Sequence, residues 1–149
     1  MMKRKVDHLE EPSNVEKMDM TRYFTREEAE ELLPQISAIL RDIQRERAVM
    51  REHEDDLATV EARAGGNGHD LHERIATLQL ELARHVQALR ALAAELERLG
   101  CELKDPNTGL IDFLSLRDGR VVYLCWHLGE ERINYWHEIQ AGFAGRQAL

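Results

Sequence analysis

Between Ile36 and Val60 the apolar residues recur in alternating steps of three and four. Ile36, Ile39 and Ile43 open the stripe, Glu46, Met50 and His53 continue it, and Leu57 and Val60 close it. A second stripe is more regular: Leu71, Ile75, Leu78, Leu82, His85, Leu89, Leu92, Leu96 and Leu99. Such spacing puts each set on one face of a helix. Thr25 with Glu28 three residues on forms a capping box, so the first helix is expected to open at Arg26, with Tyr23 and Phe24 stapling its first turn. Pro34 removes a backbone donor and is expected to kink or restart it. The run AGGNGHD at 64–70 breaks the pattern and reads as a turn, with Asp70 and Glu73 placed to cap the second helix and Gly100 to stop it. Two long helices and a short loop make an antiparallel hairpin. A stripe this regular is also compatible with a homodimer in which two hairpins form a four-helix arrangement.

After Gly100 the period changes to two. CELKDPNTG reads as loop, punctuated by Pro106 and Gly109. LIDFLSLR and VVYLCWH flank Asp118-Gly119, a strong signal for a two-residue hairpin. That turn sets Arg117 against Arg120, Phe113 against Leu124, Ile111 against Trp126 and Asp112 against Cys125. A second two-residue turn at Gly129-Glu130, of type II′, would return RINYWHE against the middle strand. One face then carries Ile111, Phe113, Val122, Leu124, Trp126, Ile133, Tyr135 and His137. The other carries Asp112, Tyr123, Cys125, His127, Arg132, Asn134, Trp136 and Glu138. A third residue in the second turn would instead move His137 beside Cys125 and His127. The predicted fold is α+β: a long antiparallel helical hairpin followed by a small three-stranded antiparallel β-meander.

Composition narrows the function classes. With 149 residues the chain is expected to hold a single domain over 21–149, with the hairpin at 26–99 and the meander and tail at 101–149. Residues 1–20 are polar and aperiodic, and read as a disordered leader or the product of an upstream start, with Met20 the true one. A net charge of −8 argues against a nucleic-acid partner. No apolar run approaches the roughly 20 residues of a membrane span, and no apolar signal core follows MMKRK. Cys101 and Cys125 form neither a disulfide framework nor a CxxC knuckle, and read as buried thiols in a reducing cytoplasm. No Gly-x-Ser-x-Gly, P-loop or dinucleotide fingerprint is present.

Ligand chemistry gathers in VVYLCWHLGEERINYWHE, which holds both tryptophans, two of the three tyrosines, a cysteine and two histidines. Most of these aromatics are needed to give a small sheet its apolar area. The polar face still offers thiolate, imidazole and carboxylate, the donors zinc or iron(II) accepts. The candidate ligands on that face are Asp112, Cys125, His127 and Glu138, with His137 as a further candidate. His137 joins them only in the three-residue-turn register, and Arg132 opposite His127 would disfavour a cation there. Cys125 as nucleophile is disfavoured by Asp112 beside it, which raises the thiol pKa. A second candidate set, Glu46, His53 and His85, replaces apolar residues in the helical seam. His53 and His85 are expected about one turn apart, ~5 Å along the axis. The alternative role for these three is fixing register.

The segments GCELKDPNTGLIDF, VVYLCWHLGE and YWHEIQAGFAGRQ, with the opening YFTREEAEELLP, resemble a bacterial family known as domain of unknown function 2203. The likeness covers roughly residues 20 to 149 and is most specific in the C-terminal half. It implies a small bacterial cytosolic protein and carries no activity with it. The family-like residues Cys101, Asp112, Cys125, Trp126, Glu130, Trp136, His137, Gly142, Gly145 and Arg146 fall on the sheet and tail; His127 is not among them. The resemblance places a shared site at Asp112, Cys125, Glu130, His137 and Arg146. Two expectations follow. One is a non-enzymatic, self-associating interaction module with a protein partner. The other is a metal-binding protein, or a metal-dependent enzyme, using ligands on the C-terminal sheet.

Overall fold

Thr25 and Glu28 exchange both hydrogen bonds of a capping box: Glu28 N donates to Thr25 Oγ1 at 3.1 Å and Thr25 N donates to Glu28 Oε1 at 3.0 Å. In the computed structural model, which describes residues 21–63 and 68–149, helix α1 opens directly after Thr25 and runs Arg26–Arg63, with Glu28 in its first turn. The leader expected at 1–20 and residues 64–67 of the expected turn lie outside the described residues, while His69 and Asp70, also expected in that turn, are helical. Pro34 lies within α1, which continues through it without restarting. Helix α2 runs His69–Leu99. It starts behind Gly68 with no side-chain cap, so Asp70 sits in the first turn instead of capping it. There its charge complements the positive end of the helix dipole. Gly100, at φ 94°, ends α2 by donating its N–H to the carbonyls of Leu96 and Glu97. A side chain at Gly100 would meet Phe24, since an added Cβ lies 2.6 Å from its ring.

Five strands follow, not three: β1 Cys101–Asp105, β2 Leu110–Arg117, β3 Arg120–His127, β4 Tyr135–Glu138 and β5 Gln147–Ala148. They form one antiparallel sheet in the order β1-β2-β3-β4-β5. CELKD, expected as loop, is an edge strand with a bulge between Leu103 and Asp105. Glu102 and Lys104 lie exposed on the face that carries Asp112, while Cys101 and Leu103 turn toward the core. The Asp118-Gly119 turn has both residues at positive φ (52° and 78°), and every β2–β3 pair expected from it forms.

The second hairpin departs from the expected register. The turn is closed by Glu130 N donating to the His127 carbonyl at 3.1 Å, which puts Gly129, at φ 103°, third in the turn. The chain then stays irregular until Tyr135, and the pairs are Cys125↔Tyr135, Leu124↔Trp136 and Tyr123↔His137. This is one residue later than a two-residue Gly129-Glu130 turn gives. The shift exchanges the faces of β4: Trp136 goes to the core, and Tyr135 and His137 go to the opposite face. Its cause is the docking of residues 132–134 on α1. Ile133 N donates to Glu30 Oε1 at 3.2 Å, Arg26 Nη2 donates to Asn134 Oδ1 at 2.9 Å, and Ile133 is fully buried. Ile133 and Trp136 both enter the core at an odd spacing that regular strand cannot supply. Arg132, expected opposite His127, instead reaches Glu30 at 3.6 Å.

The helices cover one face of the sheet. Leu33, Ile36 and Leu40 of α1 and Leu96 of α2 pack on Ile111, Phe113, Leu124 and Trp126. Beyond the sheet the hairpin projects as a two-helix stalk, since 38 residues of α1 span about 57 Å. Two helices alone cannot enclose their own seam: there Val60 and Leu78 are buried, while Leu57, Leu71, Ile75 and Leu82 stay half-buried. Among the described residues no helix is long and apolar enough to cross a membrane.

Candidate metal centre

The sheet face away from the helices is crossed by the β4–β5 connection, which carries Ile139, Gly142, Phe143 and Arg146. Beneath it Asp112 from β2, Cys125 from β3 and His137 from β4 converge, one residue from each central strand. Their ligand atoms all lie within 4.8 Å of one another, and the three side chains are buried, at 3%, 0% and 2% exposure. Asp112 and Cys125 are directly opposite in the β2–β3 ladder, and the shifted β4 register brings His137 diagonal to Cys125.

The hydrogen bonds define what each atom offers. His137 Nδ1 is 2.7 Å from the Glu138 carbonyl oxygen, which only accepts, so Nδ1 carries a proton. Nε2 faces Asp112 Oδ2 at 3.0 Å. Asp112 Oδ1 is buried and has no hydrogen-bond partner. An orphaned buried carboxylate oxygen is uncommon and calls for a specific cause. Burial first, and then the Asp112 charge, push the Cys125 thiol up to about 12. That leaves too little thiolate for an unassisted nucleophile. Burial likewise holds the Cys101 thiol at about 12; its Sγ donates to the Leu96 carbonyl at 3.5 Å, a structural role. Both cysteines are free.

Glu130 and Arg146 flank the triad as a clamp. Arg146 Nη2 reaches both Glu130 carboxylate oxygens at 2.7 and 3.0 Å and the Cys125 carbonyl at 3.5 Å. Its guanidinium lies between the rings of Tyr135 (4.0 Å) and Phe143 (4.9 Å). Glu130 also accepts from His127 N at 3.1 Å and faces His127 Nε2 at 3.1 Å. These contacts occupy the carboxylate, so Glu130 stands beside the triad without joining it. Glu138, expected among the ligands, is on the other face and pairs with Arg120 at 3.1 Å. The exchange of faces that brings His137 in takes Glu138 out.

The helical set divides into two separate pairs. The Glu46 carboxylate meets His85 Nδ1, and His53 Nε2 meets Glu81 Oε2 at 3.0 Å. The two imidazoles lie edge to face with centroids 5.3 Å apart. Glu81, absent from the expected set, takes the place beside His53. Asp112, Cys125 and His137 are the one group of three metal-ligating side chains this close among the described residues.

A cavity of about 210 Å³ opens over Asp112 and His137, with Lys104 and Tyr123 on its wall. Burial and a hydrogen bond to Glu102 raise the Tyr123 phenol to about 12, which keeps its hydroxyl a donor. The alternation of β3 puts Tyr123 on this face, as expected from the sequence. Lys104 has no such signal, because its segment reads as loop.

Fold and site together define an α+β protein: a helical hairpin on one face of an antiparallel sheet and a buried Asp-Cys-His triad on the other. The chain belongs to the family described as "Uncharacterized conserved protein (DUF2203)", whose model matches residues 22–149. No curated protein and no solved structure matches it.

Proposed function

We propose that this is a metal-binding protein in which Asp112, Cys125 and His137 hold a divalent transition metal, zinc first and iron(II) second. The observation that carries the reading is the convergence of three different donors in a buried site where Asp112 Oδ1 has no hydrogen-bond partner. Ligand atoms around a tetrahedral zinc stand roughly 3.5 Å apart, so the triad needs to contract by about an ångström. The His137 Nδ1 bond to a backbone carbonyl is the support that orients metal-bound histidines and leaves Nε2 for the metal. Thiolate favours zinc over magnesium or calcium.

The test is elemental analysis of protein purified without chelator or added metal, then again after soaking with zinc, iron(II) and manganese. The expected result is near one equivalent of metal. Saturation at a thousandfold over Kd adds about 4 kcal/mol of stability. Cys125→Ser and His137→Ala are expected to lose the metal and that gain together. Protein that takes up none of the three metals overturns the proposal.

A second reading, self-association, is favoured by the half-buried stripe of the stalk, where Leu71, Ile75, Leu82 and Leu89 keep apolar area in water. A second copy of the hairpin would cover it as a four-helix arrangement. Sedimentation is expected to show a dimer that Leu82→Asp converts to monomer with helicity retained. A monomeric parent protein at tens of micromolar would exclude this.

A further inference from the structure

We infer that the metal position opens onto a binding pocket for a small carboxylate with an apolar tail. This inference rests on the metal reading above. Three protein ligands leave a tetrahedral metal one open position, the arrangement of sites that bind a ligand instead of closing around the ion. That position faces the cavity of about 210 Å³, because Asp112 and His137 form part of its wall. The remaining wall is of two kinds. Lys104 supplies a positive charge and Tyr123 a hydroxyl, while Leu110, Ile139 and Phe143 are apolar.

A larger cavity of about 550 Å³ adjoins it and shares Leu110 and Phe143 as common walls. That volume falls within the range of small-molecule sites. Ile139 and Phe143 are 45% and 53% exposed, so two large apolar side chains meet water at the mouth of a polar site. Filling the chamber with a hydrocarbon tail would remove them from it.

Charge decides which end goes where. A divalent cation with the Cys125 thiolate and the Asp112 carboxylate is neutral, and Lys104 adds a positive charge that Glu102, at 3.3 Å, offsets in part. An anionic head is therefore accommodated at the metal. The larger chamber has a carboxylate in its wall, Asp105, which accepts from Asn107 N at 2.9 Å and Thr108 Oγ1 at 3.0 Å. His127, also in that wall, is engaged by Glu130 at 3.1 Å, so the wall offers an anion no free partner and the chamber takes the tail.

The experiment loads the full chain with cobalt(II), a spectroscopic substitute for zinc, and titrates it with hexanoate, acetate and hexylamine. Hexanoate is expected to shift the visible cobalt bands to saturation. Acetate is expected to bind about tenfold more weakly for lack of a tail, and hexylamine to leave the bands unchanged. Phe143→Ala, at a half-exposed position, should weaken hexanoate about tenfold with cobalt content unchanged. Leu110→Trp, which narrows the shared wall, should do the same. Cobalt bound but insensitive to hexanoate overturns this inference alone, as does hexylamine shifting the bands equally or acetate binding equally well. Failure to bind cobalt overturns the metal site and this inference with it.

Discussion

His137→Ala is expected to destabilise the metal-free protein by about 3–5 kcal/mol, measured by urea denaturation in the presence of chelator. The reason is asymmetry within a buried pair. Asp112 and His137 side chains are 4% and 2% exposed and meet at 3.0 Å. Removing the imidazole takes away the partner of Asp112 Oδ2, and Oδ1 already has none. A buried carboxylate left uncompensated costs far more than the pair itself contributed. Replacing both residues, as Asp112→Leu with His137→Leu, should return most of the loss, because apolar groups of similar volume need no partners there. The double-mutant cycle therefore gives strong coupling, on the order of 2–3 kcal/mol. A loss below about 1 kcal/mol for His137→Ala would mean that water from the cavity over Asp112 takes the place of the imidazole and solvates the carboxylate.

The second large effect lies in the core. Phe113→Ala is expected to cost about 3–5 kcal/mol, the range for removing a buried aromatic side chain. Phe113 is fully buried and meets Phe24 edge to face at a centroid distance of 5.1 Å. Phe24 is itself bound to β2: its N–H donates to the Leu114 carbonyl at 2.7 Å, and Ser115 Oγ donates to the Phe24 carbonyl at 2.6 Å. The ring thus joins the start of α1 to the middle of the sheet, and its loss loosens both. Thermal melting should fall on the order of 10–20 °C. Phe24→Ala should combine with it less than additively, because the two share one contact. A Phe113→Ala protein within 1.5 kcal/mol of the parent would mean that the helices close over the gap.

Much of this architecture is local and was legible from residues close together in the chain. Thr25 and Glu28 mark the start of α1, Gly100 the end of α2, and Asp118-Gly119 the whole β2–β3 register, so the pairing of Asp112 with Cys125 followed from the sequence. Each of these signals acts over a few residues through backbone geometry or a side chain bonding its own neighbourhood. The edge strands β1 and β5 have weak signatures because they are short: β1 alternates over only five residues before the Pro106 turn, and β5 has two exposed residues. A strand at the rim is held by its neighbour more than by its own residues.

The sequence by itself determined the helical hairpin, the first β-hairpin and the polar face on which Asp112 and Cys125 lie. Only the tertiary structure decided that His137 joins them and Glu138 does not. That choice turns on one residue of register, set where Glu30 and Arg26 of α1 bind Ile133 and Asn134, more than a hundred residues away. Alternation along β4 is equally consistent with either register, because Tyr135 and Trp136 are both large enough for the core. The burial of Ile133 beneath α1 selects between them, and a contact at that separation has no local signature in the chain.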